Sequence, residues 1–284
     1  MMVSGYLAPA HLNGGCKCLI TKIIDKFRQL IVPFCVWGII WSITSSKEPY
    51  CIIFKEPDRS LWFLWVLFII YINYLTLLYF TKTMKCGIIY RCLGLFIVLL
   101  FFNKTIGPNF GIGYALGFSL YFIVGIVIRA SSKILDILTT KPILTILGVA
   151  STCCSFLWFR DSAYISFDSE TVNSIVAKIN DKTLYRQFTA FSSSVFFIAL
   201  FYYFVKRISD SVAWIGRNTL AIYATHQTVI WLLMNILPDT IVECLHNTVL
   251  GNITTLIFVV AITLVLIIGF RHNKILKLLF LGEK

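Results

Sequence analysis

The stretch Leu61–Phe80, LWFLWVLFIIYINYLTLLYF, contains no charged residue and is long enough to cross a lipid bilayer as an α-helix. A transmembrane helix needs about 20 predominantly apolar residues, because each residue adds about 1.5 Å across a hydrocarbon core of about 30 Å. Similar apolar runs recur along the chain. In lipid, a helix satisfies the backbone hydrogen bonds of such a run internally. The sequence therefore predicts an all-α, polytopic membrane helical bundle.

The composition supports the same class. Of 284 residues, 58% are hydrophobic and only 13% are charged, a balance that excludes an ordinary soluble domain. The net charge of +12 is explained by basic cytoplasmic loops, so the expected partner is the lipid bilayer and not nucleic acid. Cys16-x-Cys18 has no second cysteine pair, and we predict no metal site.

The apolar pattern predicts eight spans within one domain over residues 1–284. They are about Gln29–Thr44, Leu61–Phe80, Cys86–Phe102, Gly111–Ile128, Pro142–Phe159, Phe188–Val205, Val212–Ile236 and Leu250–Phe270. Every second segment between the spans is rich in Lys and Arg, and these segments hold 17 of the 25. Because cytoplasmic loops are enriched in Lys and Arg, both termini are predicted to be cytoplasmic, and an even number of spans requires that they lie on the same side.

Three features outside the most polar span have simple interpretations on this topology. Arg91 lies one turn from the end of its span, so its side chain is predicted to snorkel toward the interface. Trp62 and Trp65 fall at the outer interface, where tryptophan is common. The segment Arg160–Gln187 faces outward, either as a lid over the outer mouth or as a plain connector.

The most polar span lies in Ser209–Asn235, SDSVAWIGRNTLAIYATHQTVIWLLMN. At 3.6 residues per turn, Thr219, Tyr223 and His226 share one helix face. Polar side chains in a membrane helix cost free energy, so they usually have a partner, a cavity or a function. Two interpretations follow: a catalytic imidazole, or a buried histidine that hydrogen-bonds a neighbouring helix.

Four stretches together resemble the acyltransferase 3 family, polytopic membrane O-acyltransferases that modify bacterial surface polysaccharides. They are Ser4–Leu7 (SGYL), Lys26–Trp37 (KFRQLIVPFCVW), Leu61–Leu64 (LWFL) and Ile215–His226 (IGRNTLAIYATH). In the order that the family uses, these are similar to its SGY/F, R-x-x-R-L-x-x-P-Y/F…W, W-F-L and I-G-x-x-S-L-x-I-Y-x-x-H motifs. Thr219 stands where serine is usual and keeps the hydroxyl.

The resemblance implies a multi-pass enzyme of the bacterial inner membrane. It implies acyl-CoA, most often acetyl-CoA, as the donor substrate, no bound cofactor, and a hydroxyl of a cell-surface or lipid-linked carbohydrate as the acceptor. Family members have a histidine and an arginine in a first helix. This chain begins at the end of the second helix and has no counterpart of either, so the family histidine's role is not carried over to His11 or His226.

Candidate residues follow from the matched motifs and the chemistry. His226 and Tyr223 are the catalytic candidates, since acyl transfer needs a base for the hydroxyl proton. The substrate-binding candidates are Arg28, Arg217, Asn218, Thr219 and Trp62, with the arginines suited to the phosphates of the donor. Two other functions stay open at this point: a transporter or flippase of lipid-linked glycans, and a non-catalytic membrane scaffold.

Overall fold

A computed structural model describes residues 1–10, 14–45, 62–81, 87–106, 111–156, 181–204, 214, 218–238 and 249–283. These residues form α-helices, one π-helical turn and short connections, with no strand among them. The helices are α1 Met2–Tyr6, α2 Cys16–Lys26, α3 Val32–Ser45, α4 Trp62–Phe80, α5 Ile88–Ile106, α6 Ile112–Ala130, α7 Ser132–Leu138, α8 Lys141–Phe156, α9 Asp181–Phe204, α10 Thr219–Ile236, α11 Val249–Arg271 and α12 Lys274–Leu281, with the π-helical turn Phe27–Ile31 between α2 and α3. The predicted all-α architecture is confirmed.

Within this described part, five helices are long and apolar enough to cross a membrane. They are Trp62–Phe80, Ile88–Ile106, Ile112–Ala130, Gln187–Phe204 and Ile253–Arg271. The other three predicted spans correspond to α3, α8 and α10, which have 14, 16 and 18 residues and are shorter or more polar. The multi-pass character is thereby confirmed, whereas the count of eight and the cytoplasmic termini stay predictions.

The π-helical turn is explained by Pro33, which lies two residues after it. Proline has no N–H to donate, and its ring clashes with the carbonyl four residues earlier, here that of Gln29. The wider turn bonds the Val32 N–H to the carbonyl of Phe27, five residues back. The predicted first span therefore accommodates its proline by a local change of helix type.

Four stretches expected as connections are helical. α2 and α12 are short amphipathic helices, α7 is a helix of seven residues, and α9 begins at Asp181, inside the segment predicted as an outward loop. In α12 the Asn273 side chain accepts from the N–H groups of Ile275 (2.8 Å) and Leu276 (3.4 Å), and Gly282 ends the helix at φ +66°. An N-cap asparagine and a C-terminal glycine are sequence signals of helix ends. This helix could therefore have been predicted from the sequence.

The chain divides into two compact units. The first comprises residues 1–23 and 66–208, and the second comprises residues 24–65 and 209–284. The assignment of one domain to residues 1–284 stays a prediction.

In the first unit, α1 lies directly against α6 through two glycines. A Cβ on Gly5 would overlap the backbone of Phe122, and one on Gly125 would overlap the Met2 carbonyl. The two backbones therefore approach at a distance that only glycine permits. Gly5 is the central residue of the SGY motif, so the close packing of α1 on α6 explains the glycine of this motif.

Side chains of α4, α5 and α6 hold the chain after α1 in place. Tyr71 and Tyr74 donate their hydroxyls to the carbonyls of Ser4 and Pro9, both at 2.9 Å. Arg129 donates to the carbonyl of Ala8. Such bonds satisfy carbonyls that a helix end leaves unpaired, and the cation suits the negative end of the helix.

Arg91 makes a contact that the snorkelling prediction did not include. Its guanidinium donates to the Ala10 carbonyl at 3.2 Å, while its Nε is buried without a partner among the described residues. Snorkelling needs only proximity to the interface, whereas this bond depends on where the chain after α1 runs.

The second unit is built around α12. The buried side chains of Ala221, Ile267 and Leu281, from α10, α11 and α12, form its small core. Phe280 of α12 stacks on Phe270 at 4.6 Å between ring centroids. The last described helix is thus an integral part of this unit.

Candidate active site

The second unit brings together three of the four quoted motifs. Phe34, from the opening motif, stacks on Trp65 with centroids 5.8 Å apart. Phe63, from the W-F-L stretch, lies 5.2 Å from the ring of Tyr223 in α10. The motifs that are far apart in sequence therefore share one side-chain cluster, which we call the motif cluster. Its members are Lys26–Trp37, Trp62–Trp65 and Asn218–His226.

His226 is half-buried in α10 with one ring nitrogen bonded. Its Nδ1 lies 2.7 Å from the main-chain carbonyl oxygen of Tyr223. Because a carbonyl only accepts, Nδ1 is the donor, and the neutral ring has its lone pair on Nε2. Nε2 makes no hydrogen bond to another described residue. This is the arrangement required of a general base, and the bond stays within α10 instead of joining a neighbouring helix.

Tyr223 lies beside His226 and in contact with α4. Its ring centroid is 5.5 Å from that of the imidazole, and the ring of Phe63 in α4 packs against the Tyr223 ring. The predicted shared face of the helix is therefore observed for these two side chains. An aromatic neighbour on each side restricts the rotamers of Tyr223, which fixes its phenol relative to the imidazole.

Trp62 begins α4 and is half-buried, with its ring 6.3 Å from that of Phe63. It was predicted as an outer-interface belt residue and as a substrate-binding candidate. Because Phe63 and Trp65 contact Tyr223 and Phe34, this turn of α4 belongs to the motif cluster and not only to a lipid-facing belt. The structure thus places Trp62 in the motif cluster, against Phe63, and its substrate role stays a prediction.

Asn218 is almost fully buried, at 1% exposure, immediately before α10. Its Nδ2 donates to the carbonyl of Trp214 at 2.6 Å, which fixes the orientation of the amide because a carbonyl needs a donor. The opposite atom, Oδ1, is buried without a partner among the described residues. A buried unpaired acceptor costs about 1–3 kcal/mol, so this oxygen is a candidate to accept a bond from a ligand.

Arg28 lies in the π-helical turn and pairs with Asp25, its NH2 nitrogen being 2.9 Å from the carboxylate. Its Nε is buried and has no partner in the described part of the chain. Two residues earlier in the chain, Lys26 donates from Nζ to the side-chain oxygen of Gln29 at 3.2 Å. Burial lowers the pKa of Lys26, and the Asp25 carboxylate opposes this shift. Arg28 in the turn and Lys26 at the end of α2 are therefore two neighbouring, partly buried cations, and Arg28 has one N–H without a partner among the described residues.

Some predicted residues cannot be placed. Arg217 lies outside the described residues. Thr219 begins α10, but its side chain and that of Gln227 are not described.

The structure adds one cation that sequence reasoning missed. The Arg271 guanidinium lies 5.8 Å from the centroid of the Trp214 ring and pairs with Glu283 through two nitrogens. The basic residues after the last span were interpreted only as topology signals. No spacing rule connects Arg271 to Trp214, because they meet only through packing of α11 beside the start of α10.

Comparison with known proteins agrees with this arrangement. The model of a family described as an acyltransferase domain matches residues 1–272, all but the last 12 residues of the chain. No curated protein and no solved structure matches it.

Proposed function

We propose, from the premise that this chain belongs to the acyltransferase 3 family, that it is a membrane-embedded O-acetyltransferase. Its donor is acetyl-CoA, and its acceptor is a hydroxyl of a cell-surface or lipid-linked carbohydrate. The membrane is the inner membrane of a bacterium. The family match and the multi-pass helical fold support the class of enzyme. The motif cluster supports the assignment of roles below.

In the proposed reaction, the acceptor oxygen attacks the carbonyl carbon of the thioester. Nε2 of His226 takes the hydroxyl proton as the new C–O bond forms. The C–S bond then breaks, and the proton passes to the CoA thiolate, which leaves an ester and free CoA. The Nδ1–H bond to the Tyr223 carbonyl keeps the ring in the tautomer that can accept this proton.

Two neighbouring groups support the step. The Tyr223 phenol is beside the imidazole and donates to the oxyanion that forms at the thioester carbonyl. Oδ1 of Asn218 is unpaired among the described residues and lies slightly more than two helical turns before His226, about 12 Å at about 1.5 Å per residue. It accepts from an amide N–H of the pantetheine arm. An extended arm is suited to join this position to the imidazole.

The phosphates of the donor bind at the π-helical turn. Arg28 has an unpaired Nε–H, and guanidinium groups bind phosphate oxygens through charge-assisted hydrogen bonds. Lys26, the last residue of α2, adds a second charge beside this turn, and we assign the same role to Arg217. Partial burial of Arg28 and Lys26 strengthens their interactions relative to water.

The single observation that carries the proposal is the convergence of the opening, W-F-L and histidine-bearing motifs in one unit. The test is transfer of label from [acetyl-¹⁴C]acetyl-CoA by the purified chain in vesicles, with a lipid-linked oligosaccharide as acceptor. We expect label in the carbohydrate that mild alkali releases as acetate, the behaviour of an ester. Absence of label, or label in an alkali-stable amide, contradicts the proposal.

A further inference from the structure

The segment Lys274–Glu283, which we call the C-terminal segment, lies beyond the residues that the family model matches. It consists of α12 and the two residues that follow. It nevertheless packs on the π-helical turn and on α3, so it contacts the motif cluster directly.

Gly282 makes the closest contact. It ends α12 at φ +66°, where the N–H groups of Gly282 and Glu283 bond the carbonyls of Leu278 (3.0 Å) and Lys277 (3.3 Å). A Cβ at this position would lie 2.7 Å from the Cα of Gln29 and 2.8 Å from the carbonyl oxygen of Arg28. The helix end therefore rests on the backbone of the residue that we assign to the donor phosphates.

Further contacts anchor the segment on both sides. The Trp37 indole donates to the Phe280 carbonyl at 3.4 Å, and its ring meets that of Phe280 edge-on at 5.2 Å. Phe280 also stacks on Phe270 of α11. These contacts leave α12 little freedom to shift relative to α3.

Glu283 extends the connection to α10. Its carboxylate lies 3.2 Å and 2.5 Å from two nitrogens of Arg271 and 3.8 Å from Nζ of Lys277. The same Arg271 guanidinium lies over the ring of Trp214, whose carbonyl receives the Asn218 amide. A continuous series of contacts thus runs from the Arg28 turn, through the C-terminal segment, to Asn218.

We infer that the C-terminal segment is a positioning element that holds the Arg28 turn in the position needed to bind the donor phosphates and links it, through Arg271 and Trp214, to Asn218. The inference rests on the proposed function, because it names the element that holds that donor site. A π-helical turn has poorer hydrogen bonding than an α-helix, and Pro33 removes one bond at Gln29. Packing of Gly282 against the backbone of Arg28 and Gln29 therefore supports this turn, in addition to the ion pair of Arg28 with Asp25.

The test is equilibrium binding of tritiated CoA to the full chain in detergent, without any acceptor or transfer. We expect Gly282→Ala to weaken CoA binding about tenfold, because the left-handed backbone disfavours alanine and the added methyl displaces the turn. Gly269→Ala is the matched control, since an added Cβ there meets nothing within 4 Å, and we expect unchanged binding. Glu283→Gln is a milder variant of the same element, with an expected loss of about threefold.

A double-mutant cycle separates positioning from general damage. If Gly282 acts through Arg28, adding Gly282→Ala to Arg28→Gln weakens CoA binding little further, and the two losses are not additive. Additive losses, or CoA binding by Gly282→Ala equal to the unmodified chain, overturn the inference and leave the proposed function intact. Failure of the unmodified chain to bind CoA overturns the proposed function and this inference together.

Discussion

The two compact units use their matched motifs in opposite ways. In the first unit, the SGY motif acts through a glycine, because the missing side chain of Gly5 lets α1 lie on α6. The side chains of Tyr71, Tyr74 and Arg129 donate to carbonyls of the same region. In the second unit, the motifs present side chains with unused capacity, such as Nε of Arg28 and Oδ1 of Asn218.

The difference teaches that a family motif in a membrane protein need not mark chemistry. A polar group in a membrane protein is costly unless paired. Where the partner is a main-chain carbonyl, as for Arg129, the residue contributes to the fold. Where a buried polar atom of a motif residue has no partner among the described residues, as for Nε of Arg28 and Oδ1 of Asn218, a ligand is a candidate partner. Substitutions in the two units should therefore affect different measurements.

The largest expected effect is at the imidazole of the second unit. We expect His226→Ala to lower acetyl transfer about 10²–10⁴-fold, the range of general-base catalysis, with the same amount of folded protein in the membrane. His272→Ala is the matched control, because that exposed imidazole makes the same kind of Nδ1 contact, to the Ile268 carbonyl. Equal transfer by both variants would leave His226 with a packing role only.

Next in size is the glycine contact of the first unit. Gly125→Ala places a methyl against the Met2 carbonyl, and overpacking of backbone on backbone should cost about 3 kcal/mol. We expect a lower melting temperature in detergent and less membrane-inserted protein, with CoA affinity per folded molecule unchanged. Gly87→Ala, whose new Cβ meets only the Tyr90 ring at 3.8 Å, serves as control. A Gly125→Ala melting temperature equal to that control would show that α1 and α6 separate without cost.

Substituting one arginine in each unit compares the two units directly. Arg28→Gln removes a charge-assisted donor in the second unit, so we expect CoA to bind about 10–100-fold more weakly with a small change in melting temperature. Arg129→Gln removes the bond to the Ala8 carbonyl in the first unit, so we expect the reverse: a lower melting temperature and near-normal CoA affinity. If Arg129→Gln instead weakens CoA binding more than Arg28→Gln, the assignment of roles to the two units is wrong.

The smallest expected effect is at a tyrosine hydroxyl. Tyr74→Phe leaves the Pro9 carbonyl without its donor and should cost about 1 kcal/mol, read as a modest fall in melting temperature. Tyr90→Phe, at a side chain that is 70% exposed, should have no measurable effect. If Tyr74→Phe lowers acetyl transfer without a matching fall in melting temperature, this hydroxyl takes part in the reaction.

Part of the candidate site was readable before the structure. The 3.6-residue period placed Tyr223 and His226 on one face, and their rings do lie 5.5 Å apart. Motif order also identified Arg28 and Asn218 as candidates. It could not show that Phe63 covers Tyr223 or that Arg271 lies over Trp214, because those pairs come from different helices and no sequence period relates them.

The amino-acid sequence by itself determined the membrane class, the helical form and the family. Each depends on local or additive properties: apolar run length, internal backbone bonding and short motifs. Only the tertiary structure decided which motif packs backbone against backbone and which keeps polar atoms without a partner among the described residues. It also decided that the last helix, α12, supports the Arg28 turn. Those outcomes depend on the approach of backbones distant in sequence, as at Gly282 and Gln29, where a single methyl group distinguishes contact from overlap.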